Sequence, residues 1–205
     1  MAYAIPAHEH RTEIVVVNSR FITTVNRADS VAVARSFIAH QRVAMPDASH
    51  HVYAYRIGGE GSVIEGMSDD GEPSGTSGPP TLAVVRGSGL GDLVLVTTRY
   101  FGGTKLGTGG LVRAYTEAAQ TALADLPTTL KVAKVLLGVE LPYSLYESAK
   151  RVMAHYHGVI ESEDFSDTVS VFVLLLQSDH DAFTAQITTL TAGQVTPVLL
   201  EERPY

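Results

Sequence analysis

Residues 99–115 read RYFGGTKLGTGGLVRAY, a spacing suited to holding an anion. A strand-like apolar run, DLVLVTTRY, leads into this stretch, and an amphipathic helical run leads out of it. Gly102, Gly103, Gly107, Gly109 and Gly110 permit positive φ and allow another group to approach the backbone closely. A helix starting there exposes unpaired N–H groups and the positive end of its dipole. Arg99, Lys105 and Arg113 bring positive charge to the same stretch. Such a set suits phosphate, whether of a nucleic acid or of a small molecule. It is not a P-loop, because Thr104 rather than glycine precedes Lys105. Nor is it the dinucleotide fingerprint, because Val112 stands where a third glycine is required. The competing reading is architectural: tight turns and close packing of helix on sheet.

A second chemical stretch is SDDGEPSGTSGPP. Asp69, Asp70 and Glu72 place three carboxylates in four positions, with hydroxyls from Ser74, Thr76 and Ser77 nearby. Carboxylates so spaced can hold Mg²⁺ together with substrate phosphates, or exchange protons. They can equally shape a turn, cap the helix behind Pro79-Pro80, and pair with Arg99, Lys105 or Arg113. The pairing-and-capping reading is preferred, because no metal-ligand spacing occurs, and no metal or other cofactor is expected. Alternation along HHVYAY puts His51, Tyr53 and Tyr55 on one strand face. These three would stack bases on an open sheet, or pack under a helix. His8-Glu9-His10 is assigned to a mobile terminus, and His155 and His157 to a helix end without a catalytic role. No G-x-S-x-G elbow or H-E-x-x-H pair is present, so the commonest hydrolase signatures are missing.

These residues need elements to position them. EIVVVNSRFITTVNR reads as a strand pair, with Ser19-Arg20-Phe21 as the turn. ADSVAVARSFIAHQR reads as a helix capped by Asp29, with Val31, Ala34, Phe37 and Ile38 in a stripe. HHVYAYRIGG and GSVIEG read as strands around Gly58-Gly59, and Pro79-Pro80 open a helix through TLAVVRG. GGLVRAYTEAAQTALADL is a helix with Leu111, Tyr115, Ala118, Ala119, Ala122 and Leu123 on its apolar face. The pattern breaks at Pro127 and Thr128, which divides the chain into 1–128 and 129–205. The second part follows the order βαββαβ, the ferredoxin-like arrangement, with Gly158 and Gly193 as left-handed caps after its helices. The fold class expected is therefore α+β.

Composition narrows the function classes. The 205 residues are 45% hydrophobic and 18% charged, the balance of a folded globular protein. Of the net charge of −7, −2 belongs to residues 1–128 and −5 to the remainder. A uniformly basic nucleic-acid coat is excluded, and a local cationic site is left to the nearly neutral first part. With no cysteine there is neither a disulfide nor a thiolate nucleophile. No signal-peptide pattern and no run of about 20 apolar residues is seen, so a cytoplasmic location away from membranes is expected.

Together, SRFITTV, SHHVYAYRIG, SDDGEPSGTSGPP and TTRYFGGTKLGTGGLVRAYTEAA resemble the YigZ/IMPACT family, in order, through most of residues 19–122. The matching positions are Asp69, Asp70, Gly71, Glu72, Pro73, Gly75 and Thr76, then Arg99, Tyr100, Gly102, Gly103, Lys105, Gly107, Gly109, Gly110, Arg113 and Tyr115. The resemblance implies a first domain with the βαβ fold of a ribosomal protein and several nucleic-acid enzymes. It implies a second domain similar to one of elongation factor G. It also implies a role in translational regulation, with RNA, the ribosome or a translation factor as partner and no secure enzymatic activity. An enzyme acting on a phosphorylated small molecule, and a purely protein-binding module, are the alternatives.

Overall fold

A computed structural model describes residues 2–59 and 62–204. The chain divides into two compact units between Leu130 and Lys131, and the architecture is α+β throughout.

The first unit is built on a five-stranded antiparallel sheet. Its strands are β2 (His10–Val16), β3 (Ser19–Arg27), β4 (His50–Ile57), β5 (Ile64–Ser68) and β6 (Leu93–Tyr100), in the order β2-β3-β6-β4-β5. A short β1 (Tyr3–Pro6) pairs separately with β7 (Thr128–Lys131). β3 and β4 each run antiparallel to β6, so they are parallel to one another. The helix joining them, α1 (Val31–Ala44), makes β3-α1-β4 a βαβ unit. The sheet is covered on both faces, as the unbroken apolar run of β6 requires. On one face α1 packs Ala34 and Ile38 against Ile57, Val94 and Val96. On the other lie α2 (Gly78–Gly87) and α3 (Gly107–Ala124). There Leu82 and Val85 of α2 and Ala119 and Ala122 of α3 meet Val25, Ala54, Leu93 and Leu95. Toward the start of α3, Leu111, Ala114, Tyr115 and Ala118 cover Phe21 and Val52. The alanines keep that helix face low, so it lies close to the strands.

Several local details differ from expectation. The β2–β3 turn is Val17-Asn18, not Ser19-Arg20-Phe21: Val16 pairs with Ser19, and both turn residues have positive φ, 44° and 65°. That is the left-handed backbone a two-residue hairpin needs, which asparagine tolerates and valine rarely adopts. Ser30, not Asp29, caps α1, its Oγ accepting from the Val33 N–H at 3.3 Å. His10 opens β2 rather than trailing in a terminus. The expected strand GSVIEG, after the Gly58-Gly59 turn, begins at residue 61, which with residue 60 lies outside the described residues.

The second unit contains β8 (Ala133–Leu141), α4 (Tyr143–His155), β9 (Val159–Phe165), β10 (Val169–Leu176), α5 (His180–Leu190) and β11 (Val198–Pro204). A 3₁₀ turn, Gln177–Asp179, precedes α5. The strand order β11-β8-β10-β9 is that of the ferredoxin-like βαββαβ arrangement. Val135, Leu137, Val139 and Leu141 alternate inward from β8 and meet Phe183 and Ile187 of α5. Gly193 takes the left-handed position after α5, with φ of 82° and its N–H on the Thr188 carbonyl. After α4 that position is held by His157 instead, with φ of 53°. Gly158 is needed for another reason: a Cβ there would lie 2.7 Å from Leu175 and 2.8 Å from Val173.

Candidate functional site

β6 ends at Tyr100 and delivers its last inward residue, Arg99, to the face covered by α3. Leu93, Leu95, Thr97 and Arg99 form one alternating row, so Arg99 is buried because its row is buried. Its Nη1 donates to Glu72 Oε1 at 2.7 Å, and its Nη2 donates to Ser19 Oγ at 3.3 Å. The guanidinium lies between two rings, 5.4 Å from the centroid of Phe21 and 5.6 Å from that of Phe101. Tyr115, about two turns into α3, donates its hydroxyl to the same Glu72 Oε1 at 2.7 Å. Burial, and then the Glu72 carboxylate, push the Tyr115 phenol far above the ordinary tyrosine range, so it remains a donor. The Nε2 of His50 lies 3.8 Å from the other oxygen of Glu72. Glu72 thus joins β6, α3, β4 and the acidic loop at one buried carboxylate.

The other acids of that loop are also occupied. Asp69 Oδ1 accepts from the N–H groups of Ser77 and Gly78 at 3.0 and 2.8 Å and from the Ser77 hydroxyl at 2.8 Å. Its Oδ2 accepts from the Gly75 N–H at 2.9 Å. Burial alone raises its carboxyl, but these donors outweigh that and hold it below the usual aspartate range. Asp69 is therefore the turn-former and cap of α2. Asp70 accepts from the His51 N–H at 2.6 Å and pairs with Arg42 of α1. The Thr76 hydroxyl donates to the Pro73 carbonyl at 2.6 Å, and Ser74 is exposed. Glu72 thus pairs with Arg99 and Asp69 caps α2, whereas Asp70 pairs with Arg42 of α1 rather than with Lys105 or Arg113.

The glycines sort into two kinds. Gly102 is required by packing: a Cβ there would lie 2.1 Å from the backbone carbon of Asn18. Its N–H donates to Ser19 Oγ at 3.1 Å, which ties the loop to the hairpin. Gly103 and Gly107 have φ of 84° and 70°, and a Cβ on Gly103, Gly107 or Gly109 would meet nothing within 4 Å. Gly110 is closer, its Cβ position 3.1 Å from that of Leu106. α3 begins with no side chain accepting from its first turn and no acid within it. Exposed glycines flank this uncapped first turn. Lys105 and Arg113 are both exposed.

The three cations do not share one surface. Arg99 faces inward because Glu72 and the two rings hold it there, whereas Lys105 and Arg113 are exposed. His51, Tyr53 and Tyr55 do not lie on an open sheet face either. α1 roofs them: both tyrosines pack with Val31 and Phe37, and His51 Nδ1 lies 3.1 Å from Thr98 Oγ1. Burial holds the His51 imidazole below its ordinary pKa, with Arg42 and His50 acting in the same direction and Asp70 against it.

Residues 17–123 match the model of the Impact N-terminal domain. An IMPACT family member of Haemophilus influenzae is 34% identical over 200 residues, covering 97% of each chain. The chain belongs to the IMPACT family. Residues 139–194 match a domain of unknown function, DUF1949. The Escherichia coli IMPACT family member YigZ is 34% identical over 202 residues, covering 98% of this chain and 99% of that one. A solved structure titled as that of a hypothetical protein is 33% identical and matches with a TM-score of 0.66 over 98% of each chain. In this IMPACT-family protein, two elements of the site escape sequence reasoning. His50 joins the Glu72 cluster from the strand face opposite the tyrosines, which alternation alone would indicate. Phe101 stands half-exposed beside the glycine loop, and no periodic pattern marks it because the strand ends one residue earlier.

Proposed function

We propose that this protein is a translation regulator that binds RNA, alone or within the ribosome, through the start of α3. The observation carrying this reading is the uncapped first turn of α3, behind Gly103, Gly107 and Gly109 and beside exposed Lys105 and Arg113. An uncapped, positive helix end and two exposed cations suit phosphate oxygens. Arg99 and Glu72 serve as framework: they fix the loop rather than contact the ligand. The resemblance of the motif residues to a family associated with translational control supports the choice of RNA. The same reading puts the protein in the cytoplasm with the translation machinery.

A Mg²⁺-dependent reaction on a phosphorylated small molecule is less well supported. Asp69, Asp70 and Glu72 spend their oxygens on backbone N–H groups, Arg42, Arg99 and Tyr115. The test of the RNA reading is the salt dependence of binding to single-stranded RNA. Two phosphate contacts give a slope of log K against log salt of about −1.4, from roughly −0.7 per contact. Lys105→Ala with Arg113→Ala should bring that slope close to zero. Absence of binding to any RNA or to ribosomes, or a slope unchanged in the double variant, overturns the reading.

A further inference from the structure

Phe101 helps hold Arg99 in place, yet that contact leaves much of the residue uncovered. The residue is 50% exposed, although it follows directly on a strand buried for nearly its whole length. The backbone around it is nonetheless pinned. The Phe101 N–H donates to Ser49 Oγ at 3.3 Å, and the next N–H donates to Ser19 Oγ at 3.1 Å. Behind the ring lies the Arg99 guanidinium, 5.6 Å from the centroid and itself held by Glu72. Arg99 therefore backs one ring face and stays fixed, while the exposed half of Phe101 remains toward solvent. A cation behind an aromatic ring withdraws charge from its outer face and favours offset stacking with an electron-rich ring. Five residues separate Phe101 from Gly107, so the two backbone positions lie within about 22 Å of each other.

We propose that Phe101 is a fixed stacking platform for one unpaired base of a single-stranded RNA whose backbone lies along the glycine loop. The inference rests on the reading of α3 as a phosphate site and adds to it a choice of strand state. A base in a duplex is already stacked on both sides, and removing it costs a few kcal/mol. An unpaired base has a free face. A positively charged track with an aromatic ring beside it is the arrangement that binds single strands with little sequence preference.

The experiment uses the full chain with labelled U15, labelled A15 and a duplex of matched length, read by fluorescence anisotropy. The wild type should bind the single strands more tightly than the duplex. Phe101→Ala should weaken single-strand binding by about 5- to 150-fold. It should leave duplex binding and the salt slope unchanged. Because the chain has no tryptophan, Phe101→Trp introduces a lone fluorophore whose emission should be quenched when U15 or A15 is added. Comparable melting temperatures of the variants confirm that the fold is retained. Wild-type binding to single strands, with Phe101→Ala equally tight and Phe101→Trp emission unchanged, overturns the stacking role and leaves the phosphate site standing. A wild type that binds no RNA overturns both.

Discussion

Removing the Glu72 carboxylate should destabilise the first unit more than any surface change. The side chains of Glu72 and Arg99 are 3% and 6% exposed, so Glu72→Ala leaves a guanidinium buried without its counter-charge. Breaking a buried pair in this way costs about 3–5 kcal/mol. The Tyr115 hydroxyl also loses its acceptor, a loss of about 1–3 kcal/mol when a buried donor is left alone. Both bonds end on the same oxygen, so the losses overlap, and the total expected is about 4 kcal/mol. Against a typical domain stability of about 5–15 kcal/mol, that is a large fraction. In a unit of this size it lowers the melting temperature by roughly 12–20 °C. Calorimetry of the full chain is the assay, and the second unit, with its own core, serves as the internal reference. Replacing both partners, Glu72→Met with Arg99→Met, should recover most of the loss, because apolar side chains of similar size need no counter-charge. A drop below about 3 °C for Glu72→Ala, or a double variant no more stable than the single, refutes the assignment of Glu72 as the linchpin.

Three further outcomes are expected. His51 takes its proton near pH 6.5 when unfolded, whereas burial keeps it neutral to lower pH in the fold. The unfolded chain then binds more protons, so stability should fall as pH drops below about 6.5, and His51→Gln should flatten that part of a urea-melt profile. Gly102→Ala should destabilise strongly through collision with the Asn18 backbone, whereas Gly109→Ala, facing open space, should hold or gain up to about 1 kcal/mol while weakening RNA binding. Thermal melts and RNA titrations of the two variants separate packing from ligand space. Asp69→Ala removes the acceptor for the start of α2 and should cost about 1–2 kcal/mol by chemical denaturation.

Periodicity made most elements legible. The α3 stripe from Leu111 to Ala122, the alternation of β8 and the βαββαβ order all follow from side chains that must share a face. Turns were less legible where a residue takes a backbone it seldom adopts, as Val17 and His157 do. Neither residue type signals it: the two-residue hairpin imposes the conformation on Val17, and the end of α4 imposes it on His157. The site was half legible. The open glycines and exposed Lys105 belong to a contiguous stretch, so their neighbourhood is written in the chain. The partners of Arg99 lie elsewhere: Glu72 is 27 positions away and Ser19 is 80. Local spacing cannot choose among distant acids. One signal was nonetheless present, since Arg99 continues the row of Leu93 and Leu95, and a cation in a buried row requires a buried acid.

The segment SDDGEPSGTSGPP has the composition of a flexible linker, rich in glycine, serine and proline, that a protease cuts readily. Its centre, however, is fastened by Glu72 to residues from β6 and α3, and its ends by Asp69 to the start of α2. The loop therefore cannot open by fraying; it opens only when those strands and helices come apart. The bonded amide protons of Glu72, Thr76, Ser77 and Gly78 should exchange with deuterium far more slowly than those of a free linker, and digestion of the native chain should spare the segment.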